Sequence, residues 1–248
     1  MPHEINIHET KREQKQDHFV TTTASGIEWA SENRRSVILT SAILLGVIVI
    51  AVAIGVFANI RSNAASVAFG QAMEIYQSPI TVPGQPATPG VKAYASVADR
   101  AKAANSEFHN VAEKYGSTKD GKTARYFEAL TLMEEGQTQP AENALKTVAD
   151  SWDKELASLG KFALANLYRQ TGRDSQAVDL YNQLADKPTD AVPAGLAQLQ
   201  LADLYTAEGK VDQAHKIYAQ LKDKDAKGVA GTMAAKKLNP TAAAGPEL

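Results

Sequence analysis

The chain has 248 residues, 22% of them charged, a formal net charge of −2 and no cysteine. That balance excludes a nucleic-acid binder built on a basic face, and the missing thiols exclude disulfides, thiolate metal sites and cysteine catalysis. With 6% aromatic against 44% hydrophobic residues, the composition favours closely packed helices over a sheet, which draws on β-branched and aromatic side chains.

Residues 1–18 are polar, carry charges of both signs and lack periodicity. They are predicted to be a disordered tail, with His3, His8 and His18 solvated rather than gathered on a metal. Residues 19–35 form a juxtamembrane amphipathic segment. In it Trp29 sits ahead of Arg34 and Arg35, a combination that anchors at headgroup depth. Residues 36–60 follow, and fifteen of these twenty-five are Ile, Leu, Val or Phe, with no charge among them. As a helix they reach about 37 Å at 1.5 Å per residue, enough to cross a hydrocarbon core of about 30 Å. The run is too long, and too far from the first residue, for a cleaved signal peptide. A transmembrane helix is predicted.

The flanks set its direction. Lys11, Arg12, Lys15, Arg34 and Arg35 precede the span, whereas Arg61 stands alone after it until Lys92. Basic residues stay inside, so the N-terminus is placed in the cytoplasm and residues 61–248 outside, with 61–238 as the periplasmic repeat domain. Ala42-x3-Gly46 and Ala51-x3-Gly55 are small pairs at the spacing that lets helices approach in lipid.

After Arg61 a helical stretch carries Ala65, Ala68, Ala72, Ile75 and Tyr76 mostly on one side. A Pro-rich loop over 78–93 then interrupts it, since proline lacks the amide donor and fixes φ. From Tyr94 the chain repeats. Ala104, Ala141, Ala177 and Ala214 recur every 36 or 37 residues, each followed four residues later by Phe108, Leu145, Tyr181 or Tyr218. Gly136, Gly172 and Gly209 form a second ladder, Ala129, Ala165 and Ala202 a third, Leu132, Tyr168 and Tyr205 a fourth. Each period reads as two antiparallel helices. Small alanines allow close approach, and the glycine closes the first helix in the left-handed conformation. One hairpin cannot bury its apolar face alone, so the hairpins must stack. The fold class is all-α: one transmembrane helix, then an α-solenoid of about four helical hairpins, with 239–248 a flexible end.

Ala165, Tyr168, Gly172, Ala177 and Tyr181, and again Ala202, Tyr205, Gly209, Ala214 and Tyr218, resemble the tetratricopeptide repeat (TPR). The repeat around Gly136 matches less well, and the period exceeds the usual one. Tail, basic lead-in, single span and outer repeats together are similar to the YfgM-like tetratricopeptide proteins, ancillary subunits of the bacterial SecYEG translocon. The resemblance implies a bacterial inner-membrane protein with a periplasmic scaffold, whose protein partners are the translocon, a membrane-anchored periplasmic chaperone and client chains. It also implies an inner groove lined by first-helix side chains, here Tyr126, Leu130, Met133, Phe162, Asn166, Arg169, Leu199 and Asp203. These are mixed apolar and polar groups suited to a flexible peptide. A structural adaptor between the inner membrane and cell-wall or outer-membrane assembly is the alternative, because it needs the same anchored solenoid.

One match points elsewhere. Residues 116–123, GSTKDGKT, satisfy the phosphate-loop pattern G-x4-G-K-[ST]. That chemistry needs a strand before the loop and a helix after it, whereas helical spacing precedes this one. A polar turn between hairpins is predicted, and no cofactor or small-molecule substrate is expected. His109 and His215 lack ligand spacing, Glu134 and Glu135 read as a solvated helix end, and no serine sits in a nucleophile elbow. An enzyme is not expected.

Overall fold

The computed structural model describes residues 33–81 and 92–239. The tail over 1–18, Trp29 and most of its juxtamembrane segment, residues 82–91 of the proline loop and residues 240–248 lie outside them. Nine helices occur among the described residues: α1 Arg34–Tyr76, α2 Val97–Tyr115, α3 Lys119–Glu134, α4 Thr138–Ala149, α5 Lys154–Gln170, α6 Asp174–Asp186, α7 Ala194–Ala207, α8 Val211–Lys224 and α9 Val229–Leu238. No strand is formed among these residues, only one isolated bridge between Ile80 and Tyr94. The fold class is all-α.

The chain divides into two compact units, Met1–Ile60 and Arg61–Leu248. In the first, the described residues are the apolar part of α1. This helix is long and apolar enough to cross a membrane, and none of its apolar window is buried inside the protein. Arg34 and Arg35 open it and are exposed. Nothing breaks α1 until Ser78-Pro79, where the residue before proline is pushed out of the helical region.

The second unit is a stack of hairpins. Helices α3 and α4, α5 and α6, and α7 and α8 pair through short turns closed by Gly136, Gly172 and Gly209, with φ of 75°, 71° and 75°. Each turn has the double bond pattern of a left-handed helix end. Around Gly172 the amide of Arg173 donates to Tyr168 O at 2.8 Å and that of Gly172 to Arg169 O at 3.2 Å. Around Gly209, Lys210 donates to Tyr205 O at 2.8 Å and Gly209 to Thr206 O at 3.1 Å. Helix starts are capped by side chains: Ser96 for α2, Thr118 for α3 and Asp153 for α5. The first hairpin lacks a glycine turn. Its ends are held instead by Tyr94, whose amide donates to Pro79 O at 3.0 Å while its carbonyl accepts from Thr81 N at 2.8 Å.

The ladders form the core. Ala104, Ala141, Ala177 and Ala214 are fully buried, as are Ala129, Ala165 and Ala202; Phe108, Leu145 and Tyr181 have no exposed surface and Tyr218 has 3%. One cluster joins α3 to α7 around Leu145 and Tyr181. A second holds the N-terminal end, where the Phe108 and Phe127 rings stack at 5.2 Å with Phe69 and Tyr76 set around them. A third closes the C-terminal end around Tyr218, Leu221 and Ala234.

Candidate protein-binding face

The predicted groove residues lie on α3, α5 and α7, the first helices of successive hairpins. Tyr126, Leu130, Met133 and Phe162 are partly buried against the main core cluster. Burial raises the Tyr126 hydroxyl above its ordinary value. The Phe162 ring meets Tyr181 edge-on at 6.1 Å. Leu199 is 5% exposed and packs into the C-terminal cluster, so it contributes floor rather than contact surface.

Three of the eight occupy one repeating position, Leu130, Asn166 and Asp203. Each lies fifteen residues before the large residue of its second helix, Leu145, Tyr181 and Tyr218. Where that residue is tyrosine, its hydroxyl donates back across the hairpin: Tyr181 to Asn166 Oδ1 at 2.6 Å and Tyr218 to Asp203 Oδ1 at 2.6 Å. Where it is Leu145, the paired residue is Leu130 and the rung is apolar. The side chains of Asn166 and Asp203 are therefore already engaged inside their own repeats. Asp203 also pairs with Lys237 at 2.8 Å, tying α7 to α9. Arg169, exposed at the end of α5, donates to Gln200 of α7 at 3.2 Å.

On a second helix, the buried Glu142 of α4 gathers several partners. It pairs with Lys146 at 2.8 Å and Arg173 at 2.7 Å, and accepts from the Tyr168 hydroxyl at 3.3 Å. The bond from Lys146, then Arg173, holds its carboxyl below the usual range. Arg173 also lies 4.3 Å over the Tyr168 ring. These contacts join one hairpin to the next.

Two surface features escape the repeat pattern. A cleft of roughly 720 Å³ opens between α7 and α9, with Leu196, Val229 and Met233 on its walls and Lys224 beside it. The only sequence signal for it is Val229 and Met233, four residues apart on the last helix. Trp152, in the turn between α4 and α5, is 98% exposed. It has no counterpart in the other turns.

The phosphate-loop match is a helix junction. Helix α2 precedes it, Thr118 caps α3 by accepting from the Gly121 amide at 3.0 Å, and residues 119–123 are already helical. A Cβ at Gly121 would fall 1.9 Å from Tyr115 O. The glycine is there because two backbones touch. His109 is also accounted for, bonded to Glu128 at 2.8 Å. Among the described residues no three His, Cys, Asp or Glu side chains gather as a metal site.

A family of tetratricopeptide repeat-like domains matches residues 28–239. The chain belongs to that family. A crystal structure of nearly identical TPR-like repeats from a Podosopora anserina kinesin light chain is similar to it, at 18% identity and a TM-score of 0.51, over 70% of this chain and 82% of that one. At that identity the likeness shows the fold alone. Among curated proteins none matches the chain. The fold of a tetratricopeptide repeat-like protein is that of a protein-interaction scaffold, and the eight predicted face residues of this one sit on its first helices.

Proposed function

We propose that this protein is a single-pass inner-membrane scaffold of a bacterium, with the N-terminus in the cytoplasm and the repeat domain, residues 61–238, in the periplasm. It holds protein partners beside the Sec translocon and assists the handover of emerging chains, as the resemblance to YfgM-like proteins implies. The observation that carries this reading is the pairing of one apolar helix, fit to cross a bilayer, with a stack of tetratricopeptide repeat-like hairpins. The first-helix face supports it. Tyr126, Leu130, Met133 and Phe162 leave part of their apolar surface uncovered, and Arg169 supplies an exposed cation. Such a face suits an extended segment with scattered apolar side chains.

Photoreactive residues placed at Tyr126, Phe162 and Arg169 in growing cells test it. Adducts with translocon subunits or a membrane-anchored periplasmic chaperone are expected, and none should form from exposed positions on the second helices such as Asn182. Equal yields from both sets of positions, or adducts with outer-membrane assembly proteins only, would overturn the translocon reading.

A further inference from the structure

The turns that join one hairpin to the next lie along a single edge of the repeat domain. Residues of the α2–α3 and α4–α5 turns share one cleft, those of the α4–α5 and α6–α7 turns a second, and those of the α6–α7 and α8–α9 turns a third. Arg61 belongs to the same edge: its guanidinium donates to Lys114 O and lies 5.6 Å from the Tyr115 ring centre, at the end of α2. Ser66 donates to Asp120 at the start of α3. Residue 61 directly follows the apolar run 36–60 in the chain, so that run is covalently continuous with the domain at this residue.

That edge also bears Trp152, 98% exposed, across the first cleft from Lys122. Lys119, Lys122 and Lys154 are exposed on the same turns, interleaved with Asp120, Asp150 and Asp153, and none of the three lysines lies within ion-pair distance of a carboxylate among the described residues. An indole with lysines around it is the chemistry of a membrane–water interface, where the ring sits at headgroup depth and the ammonium groups meet anionic lipid. A tether makes such a contact intramolecular, so weak attractions suffice.

We propose that this edge rests on the lipid surface, with Trp152 among the headgroups and Lys119, Lys122 and Lys154 against anionic ones. The proposal depends on residues 36–60 being a membrane span. Since the chain has two tryptophans, Trp29→Phe leaves Trp152 as the single reporter. The full-length variant is reconstituted into phosphatidylcholine vesicles with and without phosphatidylglycerol, and its emission is read against iodide in the water and nitroxide lipids labelled at the headgroup. A shift of emission to shorter wavelength, loss of most intensity to the headgroup nitroxide and protection from iodide are expected. All should be stronger with phosphatidylglycerol and weakened in the Lys119→Glu/Lys122→Glu/Lys154→Glu form. Emission and iodide quenching equal to those of free tryptophan, in protein that floats with the vesicles after carbonate washing, would overturn this proposal alone. Failure to float would overturn it together with the membrane span. A shift produced only by an added soluble protein, without nitroxide quenching, would make Trp152 a protein contact and overturn it as well.

Discussion

Tyr181 and Tyr218 fill the same place in successive hairpins but bond to different partners, a neutral amide and a carboxylate. A bond to a charged acceptor is the stronger kind. Tyr181→Phe is therefore expected to cost about 1 kcal/mol and Tyr218→Phe about 2 kcal/mol, read from urea unfolding at neutral pH. Burial pushes both hydroxyls up to about 12, and Asp203 adds to the effect at Tyr218. The folded value lies above the ordinary value of about 10. The stabilisation is thus complete below pH 10 and lost as pH rises towards 12. Both Phe variants should show a shallower alkaline decline than the parent protein. Glu142 behaves in the opposite sense. Lys146 and Arg173 hold its carboxyl low, so its contribution is present above the usual carboxylate range and lost as pH falls through the depressed value. Glu142→Gln should lower stability at pH 7 and flatten the acid limb of the same unfolding series.

At the scale of the element, glycine does two separate jobs. Gly172 and Gly209 end helices with φ of 71° and 75°, where a Cβ meets the following carbonyl. Gly172→Ala should cost about 1 kcal/mol or slightly more, while leaving the hairpin intact by circular dichroism. Gly121 has ordinary φ but no room. A Cβ there would fall 1.9 Å from Tyr115 O, so α2 and α3 would have to part. Gly121→Ala is expected to lose about 1–3 kcal/mol, the usual range for overpacking, and to lower the thermal midpoint more than Gly172→Ala does. If the two variants melt alike, the close approach of α2 and α3 is not what Gly121 provides.

At the scale of the whole molecule, each hairpin packs mainly on its neighbours, and the stability of such a stack is close to a sum of local terms. The hairpin around Gly136 carries Leu132 and Leu145 where later ones have tyrosine, and it still buries them, at 9% and 0% exposed. The departure from the repeat pattern removes a hydrogen bond, not the packing. The proposed topology has its own check. Protease added to sealed spheroplasts should digest residues 61–238 and spare the amino end. Protection of the large portion until lysis would reverse the orientation argued from Arg34 and Arg35.

The ladders of alanine, glycine and aromatic residues are legible in the sequence because helical packing is periodic and mostly local. They set the all-α class, the hairpin spacing and the left-handed glycine turns, and the uncharged run 36–60 marked the membrane-competent helix by length and composition alone. Which side chains are free to act is a different matter. Asn166 and Asp203 read as groove residues, yet each accepts a bond from a tyrosine fifteen positions later on another helix. The cleft between α7 and α9, the neighbours of Trp152 and the contact behind Gly121 likewise depend on how separate helices meet. Periodicity along one chain does not carry that information, because hydrogen-bond partners and exposed surface are assigned only when the hairpins close on one another.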